Sequence, residues 1–152
     1  KKKQLNLFIP SANNWQKHDL GKNYFVISPS KNTTQDLSLY WFLGILMGIC
    51  IRTGVHLTLD LPAFFWKPLV GDKITMWDIE EIDAGYCSLL KNMQSFSQEE
   101  FECSVYETFA AKLSDDTFKD IVEGGSEWPV TYQDRLEWIE KSLITRLKES
   151  YL

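Results

Sequence analysis

An uncharged helix in the first third of the chain constrains the fold most. From Leu39 to Ile51, thirteen residues carry no charge, and large apolar side chains lie on every side of the helical wheel. A helix that is apolar all round is typically buried rather than amphipathic. Thirteen residues are also too few to cross a bilayer, which needs about 20. We therefore predict the buried central helix of a soluble domain and no membrane span.

Local signals mark both ends of this helix. Thr33 and Asp36 have the spacing of a capping box at its start. Gly54 follows the apolar run and is suited to a left-handed C-terminal cap. Gly44 and Gly48 lie four residues apart on one face, where missing side chains would admit another backbone. We expect close packing against that face.

Composition excludes several classes of function. The chain has 152 residues, including six Trp, six Tyr and nine Phe, which argues for a packed core and against disorder. A net charge of −5 disfavours nucleic-acid binding. The three cysteines, Cys50, Cys87 and Cys103, lack CxxC spacing, so we expect reduced thiols, no metal site and no cofactor. The first residues lack a secretory signal. We therefore expect a cytoplasmic location, with the nucleus as a second one.

The first half of the chain also contains short strands and helices. Apolar runs that end at Pro10 and Pro29 predict two strands that could pair across a polar loop. Pro62 suits the first turn of a short helix that Gly71 ends. A cap at residues 75–78 predicts another short helix that continues to about residue 82.

Helices dominate the second half. Asp83 is expected to cap a helix over residues 84–95, and Ser97 to begin a further turn. Residues 102–108 tend to alternate, which favours an extended segment. Thr131 caps the last helix, whose predicted core-facing stripe consists of Leu136, Ile139, Leu143 and Leu147. The overall prediction is a mostly helical α+β fold.

The order of several motifs resembles one enzyme family. Trp-Phe-Leu-Gly at 41–44 precedes Ile-Arg-Thr-Gly at 51–54, and Phe-Trp-Lys follows at 65–67. Tyr-Cys-Ser-Leu at 86–89 and Pro-Val-Thr at 129–131 come later. Together they resemble the N-terminal lobe of HECT-type ubiquitin-protein ligases, with a leaning toward the very large HERC-like members.

The resemblance implies a role without covalent chemistry in this chain. The family's thioester-forming cysteine lies in a separate C-terminal lobe within a Thr-Cys-Phe context, which does not occur here. We expect the chain to contain about two-thirds of an N-lobe. Residues 1–73 would form part of its larger subdomain, and residues 74–152 would form the smaller subdomain and the start of the returning long helix. The implied partners are a ubiquitin-conjugating enzyme, ubiquitin, the HECT C-lobe in cis, and protein substrates held by other regions. No residue is assigned a catalytic role.

The family's groove for the conjugating enzyme can be carried over residue by residue. A shallow apolar groove with an aromatic wall suits a transient interface. The alternative is that Leu89, Met93 and Phe101 only pack the core. Trp138 lies beside the predicted stripe of the last helix, which would leave its ring available at the groove edge. The positions implied by the resemblance are Ser88, Leu89, Asn92, Met93, Phe101, Cys103 and Trp138.

Two other functions stay open at this point. One is a non-catalytic helical interaction module, a degenerate HECT-like scaffold. The other is a small cysteine hydrolase, which needs a reactive cysteine beside His18 or His56. Cys50 lies in the most apolar helix, where burial would block access to its thiol and raise its pKa.

Overall fold

The computed structural model describes residues 6–149, which form a mostly helical α+β fold, as predicted. Its elements follow the chain as β1 Phe8–Pro10, α1 Ala12–Trp15, β2 Phe25–Ile27, α2 Thr34–Thr53, α3 Ala63–Leu69, α4 Met76–Glu80, α5 Ala84–Ser95, α6 Gln98–Ser104, β3 Ala110–Lys112, β4 Phe118–Asp120 and α7 Arg135–Leu147. A 3-10 turn at Gly125–Glu127 lies between β4 and α7.

The strands form two separate antiparallel hairpins. Ile9 of β1 lies opposite Val26 of β2, so the predicted pairing of the first two strands is confirmed. Ala111 of β3 lies opposite Lys119 of β4. Sequence reasoning did not locate this second hairpin, because its three-residue strands are too short to display an alternating pattern.

Most helix boundaries were predicted correctly because caps depend on local sequence. Thr33 and Asp36 form the expected capping box, and Gly54 has a left-handed backbone with φ of 69°. Asp83 accepts a hydrogen bond from the Tyr86 amide at 3.0 Å and begins α5. The extended segment predicted from residue 102 is wrong at its start, since the capping box of Ser97 begins a helix that continues to Ser104.

The core lies mainly among α4, α5, α6 and α7. Asn13 joins the first hairpin region to it: the side-chain amide donates to the carbonyls of Glu80 and Glu81, at 3.0 Å each, and its oxygen accepts from the Ala84 amide at 2.8 Å. Core residues lie on both sides of residue 73 in the sequence. The predicted division into two subdomains at that residue stays a prediction. Its members are Val26, Phe64, Ile79, Ile82, Tyr86, Cys87, Leu90, Met93, Phe101, Phe109, Val130 and Trp138.

The burial predicted for the central helix is wrong for the part of the chain described here. No side chain of α2 is buried among residues 6–149, and Ile51 is 83% exposed. Cys50 is half-buried rather than enclosed in a core. The Tyr40 hydroxyl donates to the carbonyl of Leu7, just before β1, at 2.7 Å, and its ring lies edge-on to Phe8 of β1, so one side of α2 contacts the first hairpin. Because α2 is apolar on all sides, its surface is expected to pack against other segments. The sequence pattern does not identify those segments.

Helix α2 extends beyond the thirteen uncharged residues to the caps predicted at Thr33 and Gly54. At 20 residues it is the one helix of the described chain that is long and apolar enough to cross a membrane. The core helix of a globular protein passes the same test of length and composition. The absence of a membrane span therefore stays a prediction.

The glycines of α2 offer a direct test of its surroundings. A Cβ atom added at Gly44 or Gly48 would meet no described atom within 4 Å, so the close packing expected there is not observed. Gly48→Ala should raise the free energy of unfolding by about 0.5–1 kcal/mol, because glycine is a poor helix former. Gly48→Leu should also be tolerated. Urea denaturation tests both variants, and a loss above about 1 kcal/mol for leucine would show that another segment packs on this face.

Candidate functional site

A groove of about 550 Å³ opens between α1, α5 and the β3–β4 hairpin, with α7 beneath it. We call it the α5 groove. Its lining residues are Ala12 and Trp15 from α1 and Gln16 just after it; Asp83, Gly85, Tyr86 and Leu89 at α5; Glu107 in the segment before β3; Lys112, Leu113, Ser114, Asp116 and Phe118 at the hairpin; and Trp138 from α7.

The rim of the α5 groove is aromatic and its charge is mainly acidic. Trp15 is 73% exposed on one side, and Phe118 is 63% exposed on the other. Lys112 is neutralised by an ion pair of 2.7 Å with Asp116, which leaves the acidic Glu107 nearby. Such a surface suits a partner that offers an apolar side chain next to basic ones.

Trp138 forms the floor of the groove rather than its edge. Its side chain is only 2% exposed and belongs to the core, and its indole N–H donates to the Thr108 carbonyl at 2.7 Å. The expectation that this ring lies free at the groove edge is therefore wrong. A buried indole with a paired N–H mainly stabilises the fold.

The core-facing stripe of α7 was predicted in part, since Ile139, Leu143 and Leu147 pack against the core. Trp138, Ser142 and Arg146 are buried at four-residue spacing, whereas Leu136 is 53% exposed. The prediction selected aliphatic residues and therefore missed two polar positions. Ser142 satisfies its hydroxyl with the Tyr86 hydroxyl at 2.7 Å, which permits its burial.

Arg146 forms a buried polar cluster beside the groove. Its guanidinium contacts Asp83 at 3.0 Å, Glu149 at 2.7 Å and the Ser114 hydroxyl at 3.0 Å. Its carbon centre lies 5.3 Å from the centre of the Tyr86 ring. The side chain of Arg146 therefore links α7 to α5, to the turn between β3 and β4, and to the segment that follows α7. It is itself only 2% exposed.

Glu149 completes this cluster. It accepts hydrogen bonds from the backbone N–H and the hydroxyl of Ser114, as well as from Arg146. Burial raises the pKa of Glu149, although Arg146 and Ser114 oppose that shift. Sequence reasoning missed the cluster, since Arg146 gives no signal beyond its helical spacing from Trp138 and Ser142.

The family of the chain follows from comparison with known proteins. The sequence pattern of the family described as "HECT-domain (ubiquitin-transferase)" matches residues 2–152. This chain belongs to the HECT family. The structure agrees with a mostly helical α+β part of the HECT N-lobe.

Curated HECT relatives resemble the chain over much of its length. Human E3 ubiquitin-protein ligase HERC2 is 28% identical over 145 residues, which is 94% of this chain and 3% of that protein. Human probable E3 ubiquitin-protein ligase HECTD4 is 38% identical over 79 residues, 51% of this chain and 2% of that protein. E3 ubiquitin-protein ligase TOM1 of Saccharomyces cerevisiae is 23% identical over 119 residues, which is 76% of this chain and 4% of that protein. The chain thus spans only a few per cent of these relatives' lengths.

The residues carried over from the HECT groove separate into three groups in the structure. Leu89 and Trp138 both line the α5 groove. Met93 and Phe101 are buried in the core, as the alternative interpretation expected for them. The exposed members are Ser88, Asn92 and Cys103. Their role in binding stays a prediction.

The cysteines of this HECT chain have different environments. Cys87 is fully buried, and that burial raises the pKa of its thiol to about 11, which leaves little thiolate at neutral pH. Cys103 is exposed on α6. Within residues 6–149 no hydrogen bond joins a cysteine to His18 or His56. The same residues contain no group of three or more His, Cys, Asp or Glu that could hold a metal ion.

Proposed function

We propose that this chain acts within a HECT ubiquitin ligase and docks a ubiquitin-conjugating enzyme through α5 and its groove. Ubiquitin would then pass through a cysteine of the C-lobe to lysines of a substrate. The observation that carries the proposal is that, in a chain of the HECT family, α5 places three of the carried-over positions at or beside an open groove. Leu89 lies at the groove, while Ser88 and Asn92 are exposed on the same helix.

The shape and composition of this surface support a transient complex. Leu89 is half-buried, so it offers an apolar contact without requiring the core to open. Ser88 and Asn92 lie one helical turn apart and are small or neutral, which lets a partner approach closely. Interfaces of this kind rely on a few central contacts surrounded by polar side chains.

The cleanest test uses exposed residues, because their replacement leaves the core intact. Asn92→Arg adds a long charged side chain to the proposed surface. Gln94→Arg is its matched control, since it adds the same charge to the same helix, about 200° around the axis from Asn92. Both positions are exposed.

We expect isotope-labelled chain to show chemical-shift changes at Ser88, Leu89 and Asn92 when a binding conjugating enzyme from a panel is added. Asn92→Arg should weaken that binding at least about tenfold, which corresponds to about 1.4 kcal/mol, and Gln94→Arg should not. Equal weakening by both variants would place the contact elsewhere. If no enzyme of the panel binds, the degenerate scaffold becomes the better hypothesis.

A further inference from the structure

Two walls of the α5 groove, α5 and the β3–β4 hairpin, belong to different parts of the chain, and one buried side chain contacts both. Asp83 and Tyr86 belong to the α5 wall, and Ser114 belongs to the hairpin wall. Arg146 donates to Asp83 and to the Ser114 hydroxyl, each at 3.0 Å, and lies over the Tyr86 ring. Three lining residues therefore share one guanidinium.

We propose that Arg146 is a positioning residue that sets the distance between the α5 wall and the hairpin wall of the groove. Its consequence for conjugating-enzyme binding rests on the proposed function, whereas its effect on the groove itself does not. Arg146 does not line the groove, so it would act through Asp83, Tyr86 and Ser114.

The chemistry of arginine suits this role. A guanidinium presents several N–H groups in a rigid planar fork, so one nitrogen contacts Asp83 while the other contacts Ser114 and Glu149. A lysine ammonium is a single point of charge and cannot span both directions in the same way. Loss of the cation would also leave two carboxylates, Asp83 and Glu149, without their shared partner.

The hairpin has independent support, which makes the proposal testable in a folded protein. Asp115, in the turn between β3 and β4, accepts hydrogen bonds from Ser30 and from Thr117. The β3–β4 pairing does not involve Arg146. We therefore expect the hairpin to keep its own structure and to shift relative to α5 when Arg146 is changed.

The experiment measures the distance between the walls directly. Spin labels are placed on exposed cysteines introduced by Gln94→Cys on α5 and Lys119→Cys on β4, neither of which lines the groove. Cys50→Ser and Cys103→Ser remove the accessible native thiols, and the buried Cys87 is retained. Pulsed electron paramagnetic resonance then gives the distance distribution in this background and in Arg146→Lys, Arg146→Met and Ser114→Ala.

We expect one narrow distribution in the parent and a shifted or broader one in Arg146→Lys and Arg146→Met. Ser114→Ala removes the hydroxyl contacts to Arg146 and Glu149 but keeps the bond from its backbone N–H to Glu149, so it should give a smaller change in the same direction. It also tests the proposal even if Arg146→Met fails to fold. Leu143→Ala is the control, because it removes partly buried apolar packing from α7 at a position that neither lines the groove nor belongs to the Arg146 cluster. An unchanged distribution in Arg146→Lys and Ser114→Ala, or an equal change in Leu143→Ala, would overturn the proposal.

Binding separates this inference from the proposed function. Binding is measured on the unlabelled chain with its native cysteines, which is the parent here. With a conjugating enzyme that binds this parent, Arg146→Lys should weaken binding at least about tenfold, at a temperature where circular dichroism shows both proteins folded. A parent that binds no conjugating enzyme, together with a shifted distribution, would contradict the proposed function and support the positioning role of Arg146. Parent affinity in Arg146→Lys despite a shifted distribution would show that wall spacing does not control docking.

Discussion

Trp138→Ala should lower the free energy of unfolding by about 3–5 kcal/mol, since removal of a buried aromatic side chain leaves a cavity in the core. The indole is 2% exposed, and its N–H is paired with the Thr108 carbonyl. A small domain has only about 5–15 kcal/mol of stability in total, so much of this variant could be unfolded under mild conditions. Urea denaturation followed by circular dichroism measures the loss.

Two further variants separate packing from hydrogen bonding and from surface effects. Trp138→Phe keeps most of the apolar volume but removes one of the two donors to the Thr108 carbonyl, which keeps the Ala110 amide, so it should cost about 0.5–1.5 kcal/mol. Trp128→Ala removes a tryptophan that is 58% exposed and should change stability by only about 0.5 kcal/mol. Parent-like stability of Trp138→Ala would show that this ring does not belong to the core.

This expectation changes how the docking site can be tested. A loss of conjugating-enzyme binding in Trp138→Ala would not identify an interface, because the groove floor itself would be damaged. Asn92→Arg is a better probe, since Asn92 is exposed on α5. Trp138 affects the α5 groove through the shape that it gives to the floor, not through an exposed ring.

Local features of the fold were predictable from sequence because their causes lie within a few residues. The capping boxes at Thr33 and Thr75, the cap at Asp83 and the left-handed Gly54 all occur where the sequence places them. Each depends on a side chain or φ angle near its own helix end. The same locality explains why the first hairpin was recognised between its two apolar runs.

Features that depend on distant contacts could not be predicted in this way. The composition of α2 shows that it is apolar but contains no information about which segment covers it, and residues 6–149 leave it exposed. In α7 the aliphatic pattern favoured Leu136, yet Ser142 and Arg146 are buried because Tyr86 and Asp83 supply their partners. Pairing between groups 56 and 63 residues apart leaves no periodic signal in the sequence.

The candidate site was predictable only as a set of positions carried over from the HECT family. That set correctly included Leu89 and Trp138, which share the α5 groove in the structure. It did not distinguish exposed residues from core residues, since Met93 and Asn92 are neighbours on one helix but differ completely in exposure. The hairpin wall was missed because β3 and β4 were not recognised.

Gly21→Ala, in the loop between α1 and β2, should be strongly destabilising. Gly21 has φ of +64°, and a Cβ atom there would lie 1.9 Å from the Glu81 carbonyl oxygen. Alanine in the left-handed region costs about 1–2 kcal/mol. The clash with backbone adds an overpacking cost of about 1–3 kcal/mol, because a carbonyl at the end of α4 cannot rotate away as a side chain can.

Gly71→Ala is the matched control for that substitution. Gly71 also has a positive φ, of +78°, but a Cβ atom there would meet no described atom within 4 Å. It should therefore show the backbone cost alone, and the difference between the two variants in urea denaturation measures the clash. Equal losses would mean that the loop can move away from Glu81. A larger loss in Gly21→Ala should be accompanied by faster amide exchange at Ala84, whose N–H is bonded to Asn13 of α1, because the displaced loop carries the α1 wall of the groove with it.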